Sequence, residues 1–133
     1  MSNSSVWGDA DDAIARVNSQ VVEAQERAAK ARELRESMDA LKVTAASPRG
    51  EVVAKVDVTG RLIDLELDSS AMNLTPTALA ALIVKTAAAA AAKAGQQAVE
   101  LAAESFGEES PITARLRDEV GSRGAAEDGL AYR

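Results

Sequence analysis

Residues 51–104 constrain this chain more than any other stretch: two alternating apolar segments meet at Thr59-Gly60, and a long alanine-rich helix follows. Val52–Val58 and Leu62–Leu67 alternate branched apolar residues with small or charged ones, the period of a half-buried strand. A two-residue loop at Thr59-Gly60 fits a hairpin. It sets Val56 against Ile63, Ala54 against Leu65 and Val52 against Leu67, one wholly apolar face. On the other face Lys55 lies opposite Asp64, a favourable cross-strand pair. Register and charge agree on this alignment.

The segments on either side complete a pattern. Lys42–Ser47 is a weaker strand, with Val43 and Thr44 in favour and two alanines against, and Pro48-Arg49-Gly50 supplies a turn into the hairpin. After the connector Asp68–Leu74, Thr75 as N-cap and Pro76 at the first helical position open a second helix. Leu79, Leu82, Ile83, Thr86, Ala90, Ala94 and Leu101 trace its apolar stripe, bulky first and small later. Residues 76–105 would span about 45 Å at 1.5 Å per residue, so the alanine half either admits another helix closely or projects from the body. Gly95 costs about 1 kcal/mol of helix stability without having to end it.

Ahead of the meander, Asp9-Ala-Asp-Asp reads as a helix start, its carboxylates suited to the positive end of the helix dipole. Ile14, Val17, Val21, Ala24, Ala28 and Ala31 then recur at heptad spacing. A further step of three reaches Leu34, followed by Met38 and Leu41, so the seam slips there and a long regular coiled coil is not expected. Glu23/Arg27, Glu26/Lys30, Arg32/Glu36 and Arg35/Asp39 form i,i+4 pairs along the flanks. At the other end, Ser110-Pro111 opens a short helix bearing Ile112, Leu116 and Val120, with Gly121 as its stop. The division expected is a flexible stretch over 1–8, an α/β domain over 9–106, and a polar, largely disordered tail over 107–133 that includes this short helix. The fold class is α+β: a long N-terminal helix, a three-stranded antiparallel meander and a long C-terminal helix.

Catalytic equipment is missing from this pattern. The chain has neither histidine nor cysteine, which removes the commonest neutral-pH base, the commonest metal ligand and all thiol chemistry. Asp64, Glu66 and Asp68 alternate onto one strand face, which reads as a solvated face rather than a metal site. Asp9, Asp11 and Asp12 lack the glycine and terminal glutamate of a calcium loop. Ser4, Ser5, Ser69 and Ser70 have no base to activate them, and no phosphate-cradling glycine motif occurs. No enzymatic activity, cofactor or metal is expected. The N-terminus carries no basic, apolar leader, and the run Ala87–Ala92 is too short to span a bilayer. A cytoplasmic protein without a membrane partner is the expectation.

Charge is unevenly distributed. The chain as a whole carries −6, yet between Arg27 and Arg49 six cations (Arg27, Lys30, Arg32, Arg35, Lys42 and Arg49) outnumber Glu33, Glu36 and Asp39, leaving that segment at +3. Interleaved acids also describe any solvated helix. Without aromatic residues among them, base stacking or a sequence-reading helix finds no support, and phosphate contact is the chemistry these residues offer.

The order of elements, Val53-Ala-Lys-Val-Asp-Val-Thr-Gly60, then Leu62-Ile-Asp-Leu-Glu-Leu-Asp68, then a leucine-bearing loop into a long helix, resembles the bacterial YbaB/EbfC nucleoid-associated DNA-binding family over about residues 10–106. Thr59-Gly60 stands where that family commonly has Asn-Gly. The resemblance implies a two-layer α/β protomer, a tweezer-like homodimer, and sequence-tolerant binding of double-stranded DNA in the nucleoid. With it, Arg27, Lys30, Arg32, Arg35, Lys42 and Arg49 become the candidate DNA-binding residues. Relatives of this family also include proteins associated with type VII secretion. The alternative reading is therefore an acidic adaptor or chaperone-like protein that binds another polypeptide. Dimerisation is expected on physical grounds too, because Trp7, Phe106 and Tyr132 lie outside the central pattern and small side chains alone must cover it.

Overall fold

A computed structural model describes residues 2–131; Met1, Tyr132 and Arg133, which belong to the expected flexible start and tail, lie outside the described residues. Three helices and one sheet follow in the order α1 (Ser2–Ala40), β1 (Lys42–Ala46), β2 (Val52–Asp57), β3 (Leu62–Leu67), α2 (Pro76–Phe106) and α3 (Pro111–Ala131), with a 3-10 turn over Ser69–Asn73. The sheet is an antiparallel meander in the order β1-β2-β3. The α+β class and the three-stranded meander agree with the sequence.

The chain divides into two compact units, Met1–Glu33 and Leu34–Arg133. The boundary falls where the heptad seam slips. Successive helical residues turn by about 100°, so the extra step of three at Leu34 rotates the apolar stripe out of line with Ile14–Ala31. Leu34 is buried and Met38 and Leu41 half-buried, whereas Ile14, Val17 and Val21 are exposed at 59%, 56% and 48%. The helix begins at Ser2 rather than at Asp9. Gly8 is the sole helix breaker in that stretch, and a glycine costs only about 1 kcal/mol within a helix.

In the second unit, β2 alternates strictly, with Val52, Ala54 and Val56 fully buried. Val43, Ala54 and Val56 meet Ala90 and Ala94 of α2 to form the core. Thr75 caps α2 as its sequence predicts, its hydroxyl accepting from the Ala78 N–H at 3.2 Å. The emphasis of the stripe is reversed, however. Thr86, Ala90, Ala94, Gly95, Ala98 and Ala102 are the buried positions, while Leu79, Leu82 and Ile83 are half-buried and Val84 is 65% exposed. Small side chains let α2 lie close on β1 and β2. Taken whole, α2 is long and apolar enough to cross a membrane by length and composition; the alanine run read alone conceals this. Here it is the helix that covers the sheet.

The alanine half of α2 does admit a second helix. Gly107, at φ +91°, turns the chain after α2, and the buried Thr113 hydroxyl donates to the Gly107 carbonyl at 2.8 Å. Helix α3 then runs back against α2. It extends to Ala131 instead of stopping at Gly121, so the expected disordered tail is helical as far as it is described. Gly121 alone does not end the helix, because a glycine costs only about 1 kcal/mol within one.

Candidate nucleic-acid interface

The six cations proposed from sequence are all solvent-exposed, but they do not form one patch within either unit. Arg27, Lys30 and Arg32 belong to the first unit. Helical rotation puts Arg27 and Lys30 on neighbouring lines of α1, with Arg32 about 140° round from Arg27. Arg16, exposed as well, falls on the Arg27 and Lys30 side. Sequence reasoning passed over it because it precedes the cation-rich segment, although the same rotation would have found it.

Arg35, Lys42 and Arg49 belong to the second unit. Lys42 opens β1 in register with Asp57 of β2 and is exposed. Arg49 stands at the tip of a well-made turn. The Gly50 N–H donates to the Ser47 carbonyl at 2.9 Å, and the Ser47 N–H to the Val52 carbonyl at 2.8 Å. The buried Ser47 hydroxyl accepts from the Val52 N–H at 3.0 Å. The turn presents Arg49 outward on a fixed backbone.

The second hairpin differs from its expected form, and its tip carries further cations. Asp57 and Arg61 close a loop of three residues, Val58-Thr59-Gly60, with the Gly60 N–H donating to the Asp57 carbonyl at 3.0 Å. The cause is the Asp57 side chain. One carboxylate oxygen accepts from the Thr59 N–H (3.0 Å), the Thr59 hydroxyl (2.6 Å) and the Arg61 N–H (3.0 Å). These bonds, that of the Thr59 hydroxyl first, hold the Asp57 carboxyl below the ordinary aspartate range. The longer loop moves the register at its end. Val56 pairs with Leu62 rather than Ile63, and Ile63 becomes a bulge, while Lys55–Asp64, Ala54–Leu65 and Val52–Leu67 keep the predicted partners. Gly60 is required at φ +86°, and any Cβ there would meet the Ala91 Cβ at 3.3 Å.

Arg61 is exposed beside this tip, and Arg123 of α3 donates from Nη1 to the Thr59 carbonyl at 2.9 Å. Neither was proposed from sequence; the Arg123 contact joins residues too distant for any local pattern to reveal. Thr59, Gly60, Ala91, Gly95, Val120 and Arg123 line a pocket of about 160 Å³ between the tip, α2 and α3. Among the described residues no cluster of acids is placed to hold a metal ion.

Fold and surface together define a small α+β protein that carries exposed cationic side chains on a helix and on strand turns. Compared with known protein families, the chain matches the YbaB/EbfC DNA-binding family over residues 14–108, most of its length, and it belongs to that family. A comparison with curated proteins gives no match. The matched region ends just before α3, so this helix lies outside it.

Proposed function

We propose that this chain is a non-enzymatic, nucleoid-associated protein of the cytoplasm that binds double-stranded DNA through its phosphates, with little regard to sequence. The observation that carries this reading is the exposure of Arg27, Lys30, Arg32, Arg35, Lys42 and Arg49 on a member of a DNA-binding family. Phosphate contact needs positive charge at a reachable surface and nothing more specific. Arg16 joins the set through its place beside Arg27 and Lys30. Titration of one duplex at several salt concentrations tests the reading. Affinity should fall steeply as salt rises and be alike for unrelated sequences; no binding to duplex at micromolar protein and low salt would refute it.

The working form we propose is a homodimer. A helix in a folded protein draws most of its stability from packing an apolar face, yet the Ile14/Val17/Val21 seam is open to solvent in the protomer. Two such seams run antiparallel set Ile14 against Ala31, Val17 against Ala28 and Val21 against Ala24, bulky against small along the whole contact. A parallel arrangement would instead bring Arg27 of one copy towards Arg32 of the other.

A further inference from the structure

Strand β3 combines three features that together describe a docking edge. It is the outer strand of the sheet, so alternate backbone N–H and C=O groups along it have no strand partner. Its apolar side chains are uncovered: Leu62, Ile63 and Leu67 are 42%, 43% and 42% exposed. Leu62, Leu65 and Leu67 pair with Val56, Ala54 and Val52, which are fully buried, so they share the face on which α2 lies. But α2 packs over β2 and β1; Leu65 is half-buried against that core, and Leu62 and Leu67 form an exposed ledge on either side of it. The opposite face of the same strand carries Asp64 and Glu66, both exposed.

Charge decides what the edge accepts. In an antiparallel pair, residues directly opposite share a face, and like charges there are destabilising. Pairing β3 with β3 of a second copy therefore sets Asp64 against Glu66, Asp64 against Asp64, or Glu66 against Glu66, whichever residue lies on the two-fold axis. Asp68 offers no relief, being a further carboxylate and one bonded to the Ser70 N–H and hydroxyl. The edge disfavours its own copy and favours a strand of opposite sign.

We propose that β3 is a β-augmentation site for an extended segment of another protein that alternates apolar with basic residues. The segment adds a fourth strand to the sheet. Its apolar side chains cover Leu67 and the outer side of the half-buried Leu65, its lysines or arginines face Asp64 and Glu66, and its backbone pairs with the outer groups of β3. The bulge at Ile63 twists the edge next to the tip, so the regular stretch available for pairing is Asp64–Leu67.

The test uses the full chain and three blocked octapeptides: alternating Val-Lys, a block arrangement of four Val and four Lys, and alternating Val-Glu. Binding is read by calorimetry and located by backbone amide shifts. The alternating Val-Lys peptide should bind about tenfold or more tightly than the block peptide, a difference of about 1.4 kcal/mol, with shifts centred on Asp64–Leu67. Asp64→Lys with Glu66→Lys should transfer the preference to Val-Glu. Glu66→Lys alone, opposite Val53 and without an ion partner to lose, should move it in the same direction and serves if the double variant folds poorly. Equal binding of the alternating and block peptides overturns the proposal, as do shifts lying away from β3. So does slow amide exchange along the outer edge of β3 before any peptide is added, which would place a second copy there.

Discussion

Gly95 of α2 faces Val120 of α3 so closely that a Cβ built at position 95 would stand 2.6 Å from the Val120 Cγ1. The contact lets two helices approach with backbone against side chain. It also explains why a residue that weakens α2 in isolation sits fully within its buried face.

Gly95→Leu should force α3 away from α2. An overpacked contact of this kind costs about 1–3 kcal/mol, to be read as a lower denaturation midpoint together with faster amide exchange across residues 111–123. Val120→Ala combined with Gly95→Ala should restore stability relative to Gly95→Ala alone, because the added methyl then has room and brings about 1 kcal/mol of helix propensity.

The Asp57 carboxyl is held below the ordinary aspartate value by its bonds to the hairpin tip. A carboxyl with a depressed folded-state pKa stabilises the fold above its unfolded pKa, and that contribution disappears as pH falls through the lower folded value. The Thr59 and Arg61 amide resonances should therefore keep their tip-specific positions through the usual aspartate range near pH 3.9 and move together only below it. Asp57→Ala should give pH-independent shifts already displaced toward the acid form, since the acceptor of three hydrogen bonds is gone.

The chain contains no cysteine, so introduced thiols report contacts without background. Under oxidation, a mixture of Ile14→Cys and Ala31→Cys chains should form the mixed disulfide, whereas Ile14→Cys alone should not. The two Ile14 positions of an antiparallel pair lie about 25 Å apart at 1.5 Å per residue. Efficient Ile14–Ile14 bridging would show a parallel pair instead. Sedimentation equilibrium giving the 13.8 kDa chain mass rather than twice it would remove the dimer altogether.

Arg27→Glu with Lys30→Glu should weaken duplex binding on all sequences alike. Beyond the repulsion that it adds, removing two phosphate contacts should lower the slope of log affinity against log salt by about 2. Gel shift or fluorescence anisotropy at four salt concentrations suffices. An unchanged slope would move the footprint to the cations of the second unit and the hairpin tip.

What could be read from the sequence follows the range of the interactions involved. Thr75-Pro76 announces α2 because capping is settled within three residues. Lys55 and Asp64 find each other because strand alternation and charge coincide. The slip between Ala31 and Leu34 marks the boundary of the two units. The three-residue tip is not legible from Thr59-Gly60 alone, because the Asp57 side chain recruits Val58 into the turn. The continuation of α3 through Gly121 is not legible locally, because a glycine in a helix is a weak stop rather than a certain one. Of the candidate site, helical rotation could have added Arg16, and only the folded chain brings Arg123 to Thr59.

That last contact spans 64 residues, and it gives the molecule a schedule. On the ribosome the meander is made long before the arginine that clasps its tip, and α2, which lies beneath Gly60, comes between them. Loop-closure entropy for so distant a pair must be met before the contact returns anything. The hairpin can pair locally as soon as it emerges, but its tip is fastened only when α3 has been synthesised and laid against α2. A chain cut short after Phe106 would keep the family-matched domain almost whole and yet never complete that final step.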